Sequence, residues 1–98
     1  MDKDEFIKNM KQKFNELNYH YSIERGKLEA RAQHLGADAK KALEDELEKL
    51  QKLQKEMKSK IIDLEVASEN AWYDVRDGSE KAWKALSKAL KKATSHFK

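Results

Sequence analysis

The sequence has no cysteine, no proline and three glycines in 98 residues, and its longest apolar run is Ala71-Trp72-Tyr73. Without cysteine there are no disulfides and no thiolate metal sites, which fits a reducing interior. Disordered chains of low hydropathy are usually rich in proline and glycine; this one is built from Lys, Glu, Ala and Leu, which are strong helix formers. An apolar run of three is far short of the roughly 20 residues that span a bilayer. The opening MDKDEFIKNMKQKF carries charges throughout and has no apolar core of a secretory signal. A cytoplasmic protein of one domain at most is expected.

Charged residues make up 40% of the chain and apolar residues 39%, too little apolar surface for a wide compact core. The net charge of +3 is unevenly spread. Residues 1–78 hold 15 Lys and Arg against 17 Asp and Glu, whereas residues 79–98 hold six Lys against the single Glu80. The basic character therefore belongs to the C-terminal segment.

Apolar residues recur in steps of three and four: Phe6, Met10, Phe14, Leu17, Tyr21, then Leu28, Ala32, Leu35, Ala39, Leu43, Leu47, Leu50, Leu53, Met57, Ile61 and Leu64. That spacing puts one apolar stripe on each helix. An eleven-residue repeat lies over it through Phe6, Leu17, Leu28, Ala39, Leu50, Ile61, Trp72 and Trp83. Eleven residues make almost three whole turns, so the repeat keeps one face of a nearly straight helix apolar. It is plainest where Ser68-Glu69-Asn70-Ala71-Trp72 is echoed by Ser79-Glu80-Lys81-Ala82-Trp83.

Asp2 with Glu5 has capping-box spacing, as has Asp77 with Glu80 before a last helix. Gly36, followed by Asp38 as N-cap, marks a turn with a left-handed glycine, whereas Gly26 sits in helical context. Helices are expected over about 3–34, 38–76 and 79–97. Acidic residues stand four positions before basic ones at Asp4/Lys8, Asp45/Lys49, Glu48/Lys52, Glu56/Lys60, Asp77/Lys81 and Glu80/Lys84, supporting exposed helix faces. The fold class is all-α: a long antiparallel helical hairpin over 1–76, turning near 35–38, followed by a basic amphipathic helix over 77–98. The alternative is a single long rod within an oligomer, favoured by the unbroken repeat across Gly36. The hairpin leaves the flank of its seam, including Leu47, Leu53, Leu64 and Val75, partly covered, so a homodimer is the expected partner state.

No residue pattern carries catalysis. His20 and Glu24 share a helix face, but a zinc site needs at least three protein ligands and no second pair exists. No glycine-rich phosphate loop and no serine-hydrolase motif is present. A non-enzyme without cofactor is expected. Tyr19, Tyr21, Trp72 and Tyr73 lack the interleaved Lys and Arg of a base-stacking surface, since residues 14–24 contain neither. Tyr21 and Trp72 are expected in a helix seam, and Tyr19 and Tyr73 at its edge.

The last helix is the most informative element. At about 100° per residue, Trp83, Leu86, Leu90, Ala93 and Phe97 share a sector with Ala82 at its edge, while Lys81, Lys84, Lys88, Lys91, Lys92 and Lys98 fall opposite. Such a helix packs on the chain or a partner with its lysines in water, or it lies in an anionic lipid interface. Trp83, Leu86, Leu90, Phe97, Lys81, Lys84, Lys88, Lys91 and Lys92 are the candidate surface-binding residues, with Asp77–Glu80 as the hinge.

The stretches EFIKNMKQKFNELN and KLEARAQHLGADAKKALEDELEKLQ, and above all ASENAWYDVRDGSEKAWKALSKALKKATSHF with its two Ala-Trp pairs, give the chain its likeness. It resembles the small bacterial coiled-coil stress-response proteins, departing from them at Leu17, Tyr19 and Tyr21. The resemblance implies an intracellular, stress-linked protein without catalytic residues. The repeat is also similar in pattern to that of exchangeable apolipoproteins. Three functions follow as expectations: a self-associating coiled-coil scaffold, a peripheral binder of membranes or apolar surfaces through the last helix, and a weak, non-specific nucleic-acid binder through its lysines.

Overall fold

The computed structural model describes residues 2–96, and side chains as far as Ser95. Three helices follow one another: α1 (Lys3–Ala32), α2 (Ala37–Val66) and α3 (Trp72–His96). The first begins with Asp2 as its N-cap, the Glu5 amide donating to Asp2 Oδ1 at 2.8 Å, which is the N-cap half of the expected capping box. The chain then folds as an antiparallel hairpin, so that Lys11 pairs with Glu65 at 3.1 Å and the Gln54 amide donates to Asn18 Oδ1 at 2.8 Å. The third helix returns along the hairpin, antiparallel to α2. Its first residue, Trp72, meets Phe6, and Leu90 and Thr94 reach the level of Leu17 and Glu24. The bundle measures 52 × 19 × 17 Å.

The apolar stripes converge on one seam. Met10, Phe14, Leu17, Tyr21 and Leu28 from α1 meet Leu43, Leu47, Leu50, Met57 and Ile61 from α2, with Leu86 and Ala93 from α3 completing the core. Phe6, Leu53, Ala82, Trp83, Ala89 and Leu90 pack against it. Tyr21 and Trp72 are buried, while Tyr73 stacks on Trp72 at the edge and Tyr19 is exposed beside His20.

Several boundaries differ from the sequence expectation. The turn after α1 spans Gln33–Gly36, and Gly36 is the N-cap of α2 with φ −67° and ψ 165°. That backbone is ordinary extended chain, and no residue among those described has positive φ. Asp38 lies in the first turn of α2 rather than at its cap, where its carboxylate favours the helix N-terminus.

The second break falls at residues 67–71, not at 76–77. Ala67 leaves α2 in an extended conformation, and the Ser68 carbonyl accepts from the amides of Ala71 and Trp72 at 3.1 and 3.0 Å, starting the next helix. Asp77-Gly78-Ser79-Glu80 is consequently interior to α3 rather than at its N-terminus. Ser79 is fully buried, and its hydroxyl donates to the Val75 carbonyl one turn back at 2.9 Å.

The unbroken eleven-residue phase does not require a rod. Each helix plus its connection spans close to three repeats, so Phe6, Leu17 and Leu28 fall on α1, Leu50 and Ile61 on α2, and Trp72 and Trp83 on α3, all on inward faces. Ala39 is the exception and is exposed. The anticipated open flank is covered as well: Leu47 and Leu64 are buried, and Leu53 and Val75 are half-buried, with α3 closely packed on α2. The uncovered seam thus gives no reason for dimerisation.

Candidate interaction surface

The third helix divides into the two faces that its sequence implies. Leu86 and Ala93 are buried, Trp83 and Leu90 half-buried, and all four turn towards the hairpin. Phe97 lies outside the described residues. Lys81, Lys84, Lys88, Lys91 and Lys92 are exposed on the other side, within a sector about 100° wide on a helical projection. The row spans eleven positions, or roughly 16 Å of helix.

None of the five makes an ion pair among the described residues. Glu80 does not close on Lys84, nor Asp77 on Lys81; the Asp77 carboxylate lies 3.6 Å from the neighbouring Arg76 guanidinium instead. The other acid-to-base pairs expected from spacing also remain open, including Glu48 with Lys52. Like charges standing beside each other without counter-charges produce a concentrated positive field, which attracts anions over roughly a Debye length of about 10 Å. The structure thus brings the lysines to a common outer face but places Leu86 beneath it in the core, with Trp83 and Leu90 half-buried against the core.

A second surface escaped the sequence reading. On the side of the hairpin where no α3 residue takes part, three hollows of about 420, 420 and 390 Å³ follow one another between α1 and α2. Their floor is apolar, with Leu43, Leu47, Phe14 and Ile61, and their rim is polar. Along the α2 rim, Glu44 and Glu48 stand towards the Gly36 turn with Lys40 beyond them, Gln51 at the centre, and Lys55 and Lys58 towards the other end, where Glu65 is held by Lys11. The signal was present as like charges at helical spacing, Glu44/Glu48 four apart and Lys55/Lys58 three apart. Neighbouring acid-to-base spacings masked it.

His20 and Glu24 both border a shallow hollow beside Ser87 and Leu90, and no group of three or more His, Cys, Asp or Glu among the described residues could hold a metal. No described helix is long and apolar enough to cross a membrane. Neither a family model, a curated protein nor a solved structure matches the chain.

Proposed function

We propose that the chain is a non-catalytic helical interaction protein whose working surface is the lysine face of α3, used on anionic surfaces such as an acidic lipid leaflet. The observation that carries this reading is the row of five exposed lysines without ion partners on a helix whose apolar face is already engaged. A lysine near an anionic leaflet contributes about 1 kcal/mol, so five together supply a useful but reversible attraction. The bundle acts as the rigid carrier that keeps the lysines aligned. A cytoplasmic location and a link to stress form part of the same proposal, supported by the likeness of its closing stretch to small bacterial stress-response proteins.

The test is co-sedimentation with vesicles. Wild-type protein should bind vesicles rich in phosphatidylserine, release as salt rises, and ignore phosphatidylcholine vesicles. Replacing Lys81, Lys84, Lys88 and Lys91 with Gln should abolish binding while circular dichroism stays unchanged. Equal binding by that variant overturns the proposal. Preference for duplex DNA over the anionic vesicles, with affinity falling steeply in salt, would assign the same lysines to nucleic acid instead.

A further inference from the structure

The groove between α1 and α2 has a charge pattern that selects its own occupant. Glu44 and Lys58 each lie seven positions from Gln51, about 10 Å along the helix, while Glu48 and Lys55 lie three and four positions from it. All four rim the groove, and none has an ion partner among the described residues. Within one chain Glu44 faces Glu48 one turn away and Lys55 faces Lys58, so each half of the rim sets like charges side by side.

We propose that a second copy of this chain docks antiparallel across the groove, about a two-fold axis through Gln51, so that Glu44 and Glu48 of each copy face Lys58 and Lys55 of the other. A two-fold contact is self-complementary: whatever one copy offers, it also receives. Reversing one helix about Gln51 exchanges the acidic and basic halves of the rim, turning both like-charge neighbours into cross-chain ion pairs. A parallel arrangement would set Glu against Glu and Lys against Lys, and like charges across an interface oppose association. Gln51 meets its own symmetry mate at the centre, where an amide both donates and accepts. Each copy also covers Ile62, which is 51% exposed at the groove's edge. The α1–α2 faces of the two copies then stack as a four-helix bundle with an α3 on either side.

This contact is independent of the α3 reading, because it uses the face of the hairpin away from α3. It leaves both lysine rows outside, on opposite sides of the dimer, so each row remains free for a separate surface.

The test is sedimentation equilibrium with charge-reversed variants. Wild-type protein should be a dimer in low salt. The double variants Glu44→Lys/Glu48→Lys and Lys55→Glu/Lys58→Glu should each dissociate, with Kd raised about tenfold or more as four attractive exposed pairs become repulsive. Mixed in equal amounts, the two variants should pair with each other. The quadruple variant carrying all four reversals should dimerise as the wild type does. Because all four residues are exposed, circular dichroism should show the same helix content throughout. A wild-type monomer at every soluble concentration overturns the proposal, as do double variants that dimerise undiminished or that fail to pair on mixing.

Discussion

The ring of Phe6 lies 6.2 Å from that of Trp72 and is tilted 51° to it, joining the second turn of α1 to the first residue of α3. Around this contact the open end of the bundle is closed. Tyr73 stacks on Trp72 at 4.6 Å, and the Arg76 guanidinium stands 5.4 and 5.2 Å from the two rings, an arrangement in which a cation is held by aromatic faces. The Lys3 ammonium donates to the carbonyl of Ala67, where α2 ends, so a positive charge sits at the negative end of that helix.

Trp72 is buried and Tyr73 is 55% exposed, so the two should separate sharply on truncation. Trp72→Ala should cost about 3–5 kcal/mol, the range for large aromatic truncations in a core. Tyr73→Ala, which leaves Phe6 and the core covered, should cost about 1 kcal/mol or less, mostly the stacked pair. Urea denaturation followed by helical circular dichroism measures both. Equal losses would mean that the closure depends on the Tyr73–Arg76 side rather than on Phe6.

Two glycines lie inside helices without being needed there. A Cβ at Gly26 meets nothing within 4 Å, and one at Gly78 meets Lys60 Nζ at 3.8 Å and its Cε at 3.9 Å, ordinary contacts with a flexible side chain. Glycine in a helix interior is less favourable than alanine by about 0.5–1 kcal/mol. Gly26→Ala and Gly78→Ala should each raise stability by about that amount, and together they should add, being far apart. Thermal melts read the effect directly. Destabilisation by Gly78→Ala would indicate that α3 bends at that position in solution.

Most of this architecture was legible because each level of the sequence agrees. The apolar stripe from Met10 to Leu64 supplies most of the observed core, Leu35 and Ala39 by the turn being exposed, and Asp2 caps α1 as its spacing required. The second break was misplaced because Gly78 is the more conspicuous punctuation, yet it sits inside α3, which tolerates a glycine at a cost of about 0.5–1 kcal/mol. The actual signal was Ser68, an N-cap residue type followed by the acidic Glu69. The lysine face of α3 was legible by projection alone. Whether its opposite face met a hairpin or a lipid was not, since Trp83 and Leu90 suit both, and only tertiary packing distinguishes them.

The Tyr21 hydroxyl is buried and lacks a well-formed hydrogen bond, while the nearby Arg25 Nε donates to Glu29 at 2.7 Å. Burial pushes its pKa above the ordinary phenol value, partly offset by the positive Arg25. A phenol that ionises more readily in the unfolded chain contributes stability that is intact below about pH 10 and is lost as pH rises through the folded value. Tyr21→Phe should therefore be neutral or stabilising by up to about 1 kcal/mol at pH 7, since it removes a poorly satisfied polar group. It should also lose less stability than the wild type above about pH 10. Comparing the two proteins cancels the lysine titration common to both. A loss above about 1 kcal/mol at pH 7 would assign the hydroxyl a hydrogen bond in solution.

The position of the second break changes what a lipid surface should do to the tryptophans. Trp72 and Trp83 both belong to α3, so any release of that helix moves them together. Release has an asymmetric cost. The apolar face of α3 would exchange one apolar environment for another, and its lysines attract an anionic leaflet equally whether docked or free. The hairpin, however, would lose the cover over Phe6 and Leu17, each worth about 1.5–3 kcal/mol when fully buried. Nothing in the lipid contact offsets that loss, so α3 should bind with its apolar face still on the hairpin. Single-tryptophan variants, Trp72→Phe and Trp83→Phe, should show unchanged emission when phosphatidylserine vesicles are added, even as co-sedimentation reports binding. A matched blue shift in both variants would mean that the whole helix from residue 72 onward leaves the bundle. A shift confined to Trp83 would mean that α3 breaks near Gly78 instead.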